Sequence, residues 1–97
     1  MKNKTEILGI IQAMKPELET NYNVKSIGIF GSVVREKAGR RRDIDVLVEF
    51  EKPIGLFKFL ELEELLSKRI GGKVDLVSKK ALKPEIGRTI LAEVVLV

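Results

Sequence analysis

The chain has 97 residues, of which 44% are hydrophobic and 33% are charged, and this balance is typical of a folded globular domain rather than a disordered segment. Its length fits one domain, residues 1–97, with one hydrophobic core. The absence of cysteine and histidine excludes disulfides, Cys/His zinc sites and serine–histidine triads. Carboxylates that bind a hard cation remain open, and the formal charge of +4 favours an anionic ligand or partner.

Nothing in the sequence indicates a membrane protein. No apolar run approaches the ~20 residues that span a bilayer, and the N-terminal segment lacks a signal-peptide cleavage site. We therefore expect a cytoplasmic protein.

The first half of the chain predicts a helix, a strand and a short second helix. Thr5 is the expected N-cap of the first helix, and Pro16 should kink or restart it. Residues 24–30 predict a strand that runs into a tight turn at Gly31-Ser32, and a short helix should follow from Val33 to about Ala38. The apolar residues of the first helix recur at helical spacing: Ile7, Ile10, Ile11, Met14 and Leu18.

The second half predicts a strand, a helix, a strand and a helix. Residues 43–50 alternate strictly between two faces, which indicates a strand. A helix should end at Gly71-Gly72, a strand should cover 73–77, and a last helix should run from Pro84 to about Glu93. The apolar tail 94–97 fits either core packing or a docking edge. The apolar stripe of the long helix comprises Leu56, Phe59, Leu60, Leu66 and Ile70.

Three aspartates are candidate metal ligands and catalytic groups. Asp43 and Asp45 are two residues apart on one strand, so their α-carbons should lie about 6.6 Å apart with both carboxylates on one side. The alternation indicates that this side faces inward, where unpaired like charges are costly and a bound cation would relieve them. Asp75, on the next predicted strand, is the natural third ligand of a two-metal site. A lone Asp-x-Asp is otherwise most often a solvated strand end.

The Gly31-Ser32 turn is a candidate phosphate-binding element. It follows a strand and opens a helix, so backbone N–H groups should point at an anion placed there. Such a pair alone usually marks an ordinary turn, and Arg35 alone is an ordinary surface cation. Their combination with the acids is what indicates a nucleotide site at one end of a sheet.

The segment GIFGSVVREKAGRRRDIDVLVEF resembles the signature of the nucleotidyltransferase superfamily, and in particular the minimal nucleotidyltransferases paired with HEPN toxins. The eleven-residue step from Ser32 to Asp43 fits that signature, and GGKVDLVSKKALKPEIGRTILAEVV resembles the third-acid strand and closing helix of the family. The resemblance implies an α/β fold with a small mixed sheet flanked by helices.

The resemblance also implies an activity. It implies transfer of a nucleoside monophosphate, AMP from ATP, with two Mg²⁺ ions held by Asp43, Asp45 and Asp75. Nucleotide binding is expected at Gly31, Ser32, Arg35 and Arg42, and the implied acceptor is a tyrosine hydroxyl of a HEPN toxin, with the chain acting as antitoxin in complex with that partner. Glu36 and Arg42 depart from the family pattern, which has glycine and serine there, so they bear on the choice of substrate.

Competing interpretations remain at this point. A non-catalytic antitoxin would use the same surface only to bind its partner, although the presence of all three acids favours an enzyme. An antibiotic-modifying nucleotidyltransferase would need a second domain, for which the chain has no room. The arginines at 40–42 could grip a triphosphate, an RNA backbone or an acidic partner, or form a solvated loop. The few aromatic residues argue against nucleic acid as the main partner.

Overall fold

The computed structural model describes residues 2–35 and 43–97. Its elements are α1 (Lys4–Tyr22), β1 (Val24–Phe30), α2 (Ser32–Arg35), β2 (Ile44–Phe50), α3 (Leu56–Ile70), β3 (Val74–Ser78), a 3-10 turn (Lys79–Ala81), α4 (Pro84–Glu93) and β4 (Val95–Leu96). The α/β class and the mixed sheet expected from the sequence are confirmed. No helix in the described part of the chain is both long and apolar enough to cross a bilayer.

The four strands form one sheet in the order β3-β2-β1-β4. Strand β1 pairs antiparallel with both β2 and β4, whereas β2 and β3 are parallel and are joined through α3. The tail therefore contributes an edge strand, and Val97 donates its backbone N–H to the carbonyl of Ile27 at 2.9 Å. Gly28 permits this close pairing, because a Cβ there would lie 2.5 Å from the carbonyl oxygen of Val95.

The first helix differs from its prediction at two places. Its N-cap is Asn3 rather than Thr5, because the Asn3 side chain accepts from the Glu6 N–H while Glu6 accepts from the Asn3 N–H, which forms a capping box. The helix also continues through Pro16 without restarting. Pro16 and Gln12 are both exposed, so water can satisfy the Gln12 carbonyl that loses its hydrogen bond.

Helices α1 and α3 cover one face of the sheet and build the core. Strands β1 and β2 present alternate residues to this face, and Ile29 and Val46 are opposite each other and fully buried. The stripe predicted for α3 is partly wrong, since Leu56 and Leu60 are 67% and 48% exposed and Leu62 is buried in their place. The fully buried core side chains are Ile7, Ile11, Leu18, Ile27, Ile29, Ile44, Val46, Val48, Leu62, Leu66 and Ile70.

Candidate active site

The acids lie on the face of the sheet opposite the core. Strand β2 buries Ile44, Val46 and Val48 against the helices, so Asp45 points to the other side, where it is half-buried. The expectation that the acids face inward is therefore wrong. Successive side chains of a strand point to opposite faces, and the branched apolar residues of β2 occupy the face covered by the helices.

Strand pairing brings the second and third acids together. In the parallel ladder of β2 and β3, Asp45 is the register partner of Asp75, and neighbouring strands lie about 4.8 Å apart. Asp43 immediately precedes β2, and its backbone neighbour Ile44 donates to the carbonyl of Lys73 at 2.8 Å. The three acids named from the sequence thus share one end of the sheet, and both Asp43 and Asp75 are exposed there.

The charge at this end is only partly compensated. Burial, followed by the charges of Asp75 and Asp43, raises the pKa of Asp45, and the guanidinium of Arg35 opposes this shift. Lys73 lies 3.8 Å from the nearer carboxylate oxygen of Asp43. The site therefore has uncompensated negative charge close to Asp45, which a bound cation would stabilise.

The acids fit a magnesium site in their chemistry. Carboxylate oxygens are the ligands that Mg²⁺ prefers. Burial first, and then the charges of Asp75 and Asp43, raise the pKa of Asp45, and a bound cation would favour its charged form again. Within residues 2–35 and 43–97, however, no three acidic side chains converge closely enough to form a preassembled metal cluster. The acids share a face, and the expected metal set stays a prediction.

The Gly31 turn packs directly against Asp45. Gly31 has φ +78°, a left-handed conformation that favours glycine, and a Cβ on this residue would overlap the Oδ2 atom of Asp45. The Gly31 carbonyl accepts hydrogen bonds from the N–H groups of Val34 and Arg35, which starts α2 at Ser32. The predicted turn therefore lies beside the acids, although α2 begins one residue earlier than expected and residues 36–38 lie outside the described part.

A residue that was not predicted completes this cluster. Glu93, the last residue of α4, accepts the N–H of Gly31 at 2.8 Å and pairs with Arg35 at 2.8 Å. The sequence carries no local signal for this contact, because 62 residues separate Glu93 from Gly31. Arg35, predicted to bind nucleotide, is held by a carboxylate in this structure. Arg42, also predicted to bind nucleotide, and Glu36 lie outside the described residues.

This arrangement, a strand–glycine turn–helix beside acids on two parallel strands, defines the nucleotidyltransferase fold class. The nucleotidyltransferase domain family matches residues 11–97, and the chain belongs to that family. The prediction that it is a nucleotidyltransferase is thereby confirmed. The chain is 49% identical over 92 residues to the protein adenylyltransferase MntA of Thermococcus cleftensis, and this match covers 95% of the chain and 93% of MntA.

Solved structures agree with the fold. A structure described as a candidate minimal nucleotidyltransferase superposes with a TM-score of 0.80 at 28% identity, and the match covers 97% of this chain and 95% of that one. The MNT antitoxin in complex with the tri-AMPylated HEPN toxin of Shewanella oneidensis gives a TM-score of 0.66 at 19% identity, over 92% and 68% of the two chains. At that identity the second match shows the fold alone.

Proposed function

We propose that the chain is a protein adenylyltransferase that moves AMP from ATP to a hydroxyl group of a HEPN-type toxin and thereby acts as its antitoxin. The observation that carries the proposal is the alignment of Asp45 with Asp75 on one sheet face, beside Asp43 and the Gly31 turn. The near full-length match to an adenylyltransferase supports AMP as the transferred group. The complex of a relative of this fold with an AMPylated toxin supports the partner.

In this proposal the three aspartates have different roles in the reaction. Asp43 and Asp45 would hold Mg²⁺ with the triphosphate, and the bound ion would neutralise phosphate charge and activate the acceptor hydroxyl. Asp75 accepts the proton of the acceptor hydroxyl while that oxygen bonds to the α-phosphorus. The bond between the α-phosphorus and the bridging oxygen breaks, and pyrophosphate leaves. The leaving phosphates would lie beside the Gly31-Ser32 turn, whose Gly31 N–H donates to Glu93 in this structure.

Exposure of the acids suits an acceptor that belongs to another molecule. Asp43 and Asp75 are both exposed, so a partner hydroxyl can approach them from solvent. The chain has one tyrosine, Tyr22, and it precedes β1, whereas the Gly31 turn follows that strand about 20 Å away. Its hydroxyl donates to Glu61 at 2.6 Å, and burial together with this bond raises its pKa to about 12. A tyrosine acceptor would therefore come from a partner.

The proposal is tested by intact-mass spectrometry of a co-purified HEPN-type partner, before and after incubation with ATP and Mg²⁺. We expect the partner to gain one or more AMP units with the wild-type chain and none with Asp43→Asn, because the substitution removes a unit of negative charge from the proposed cation site. Calorimetric titration with Mg-ATP should show weaker binding for the same variant. Circular dichroism would verify that the variant is folded.

The non-catalytic alternative predicts a different result. If the chain only masks its partner, the partner will bind tightly and never gain mass, and Asp43→Asn will neutralise it as well as the wild type does. That result would overturn the transfer and leave an antitoxin that acts by binding.

A further inference from the structure

Glu93 bridges two parts of the glycine turn with its two carboxylate oxygens. Its Oε1 atom accepts the Gly31 N–H and its Oε2 atom accepts from Nη1 of Arg35, each at 2.8 Å. The Glu93 side chain is 27% exposed, so the pair lies in partial shelter from water. One carboxylate thus fixes the backbone of the turn and the side chain that ends α2.

The bridge is the main polar contact between α4 and the site within the described residues. Helix α4 buries only Gly87, while Ile86 and Leu91 are 56% and 47% exposed. Apolar packing therefore holds this helix weakly against the rest of the domain. The position of Glu93 is instead fixed from its C-terminal side, where β4 follows directly and pairs with β1.

Gly31 transmits the position of Glu93 to Asp45. The turn contacts the Asp45 carboxylate so closely that no side chain fits between them, and the Gly31 N–H is held on Glu93. The pairing of β2 with β3 fixes the backbone of Asp45, so a shift of the turn would free only its carboxylate to change orientation. Loss of a group that orients a ligand in this indirect way typically lowers metal affinity or activity by about 10- to 100-fold.

We propose that Glu93 is a positioning residue for the transfer reaction, which holds the glycine turn against Asp45 and orients the guanidinium of Arg35. Because it assigns Glu93 a role in the transfer reaction, the inference rests on the proposed function. Its structural content, the link between Glu93 and the turn, does not depend on that function. Glu93 touches neither nucleotide nor acceptor in this assignment and acts through Gly31 and Arg35.

Two variants separate the two contacts. Glu93→Gln retains an oxygen that can accept the Gly31 N–H, but its amide group cannot accept from Arg35, whereas Glu93→Ala removes both contacts. The control is Glu85→Gln, which removes the same charge from an exposed position on the same helix. Each variant would be compared with the wild type in single-turnover transfer, in Mg-ATP titration and in hydrogen exchange at the Gly31 amide.

We expect Glu93→Ala to slow transfer about 10- to 100-fold and to lose protection of the Gly31 amide, with Glu93→Gln intermediate and Glu85→Gln unchanged. Wild-type transfer and wild-type amide protection in Glu93→Ala would overturn the proposal. Tighter Mg-ATP binding in Glu93→Ala would also overturn it, because Glu93 would then be a competitor for the phosphate position. If Glu93→Ala fails to fold, Glu93→Gln decides the question by the same three measurements.

The failure of the proposed function gives a different pattern. If the wild-type chain and Glu85→Gln transfer nothing to the partner, the proposed transfer of AMP is wrong. The exchange rate of the Gly31 amide and the Mg-ATP affinity still decide whether Glu93 positions the turn.

Discussion

The core face and the acid face of the sheet are made from alternate residues of the same strands. On the core face, Ile29 and Val46 are fully buried under α1 and α3. On the acid face, one residue away along β2, Asp45 is half-buried and Asp75 is exposed. The raised pKa of Asp45 means that its charged form is unfavourable in the folded chain. Burial of the apolar residues on the other face stabilises the folded chain. The core face therefore stabilises the fold, whereas the acid face contains a charge that destabilises the fold and is proposed to serve the reaction.

The largest expected effect is on the core face. Leu66→Ala should lower the free energy of unfolding by about 2–5 kcal/mol, because Leu66 is fully buried and its truncation leaves a cavity. Urea denaturation would measure this loss. Leu60→Ala is the matched control on the same helix, since Leu60 is 48% exposed, and its effect should stay within about 0.5 kcal/mol. Equal losses in the two variants would contradict the assignment of the core face.

The next effect belongs to the acid face and should appear in turnover. Asp75→Asn removes the proposed base, so we expect transfer to fall about 100-fold, or about 2.7 kcal/mol in activation free energy. Mg-ATP affinity should change much less than this, because the work of Asp75 is on the acceptor hydroxyl. Single-turnover transfer and calorimetry would measure the two quantities. A variant that transfers at the wild-type rate would reduce Asp75 to an ordinary strand residue.

The smallest expected effect is that of an acid-face substitution on the free energy of unfolding. Since the folded chain raises the pKa of Asp45, its charged form is less favourable there than in the unfolded chain, and a neutral isostere should stabilise the protein. We expect Asp45→Asn, without Mg²⁺, to raise the free energy of unfolding on the order of 0.5 kcal/mol, the scale of interactions between partly exposed charges. Thermal denaturation would measure it, with exposed Glu19→Gln as the control. A destabilised Asp45→Asn would show that the carboxylate supports the fold.

Local pattern was sufficient to predict the four helices and the first three strands, and to place Asp43 and Asp45 on one side of β2. The alternation of residues 43–50 predicted β2 and placed Asp43 and Asp45 on one side, and Gly71 ends α3 with φ +81° as a glycine C-cap should. The direction of that side was predicted wrongly, because alternation separates two faces without showing which one the helices cover. Residues Asn3 and Thr5 compete for the same capping role, and only the reciprocal bond with Glu6 distinguishes them.

Contacts between distant segments could not be predicted. The exposure of Leu56 and Leu60 depends on how α3 is rotated on the sheet, which helical spacing leaves open within one turn. The pairing of Val95 and Leu96 with β1, and the bond from Gly31 to Glu93, join parts of the chain that are more than sixty residues apart. Only tertiary structure brings these segments together.

The register of β2 and β3 has a consequence for the order of folding. Asp45 and Asp75 meet only after the chain has formed α3 and closed a parallel pair, and such non-local pairings are slow relative to helix formation. A slip of one residue in this pair would turn Asp75 to the helix side of the sheet. Glu93 reaches Gly31 only when α4 and β4 have also folded onto the rest of the domain. The reactive end of the sheet should therefore be the last part of the chain to mature, so that recovery of activity after dilution from denaturant should lag behind recovery of helical signal.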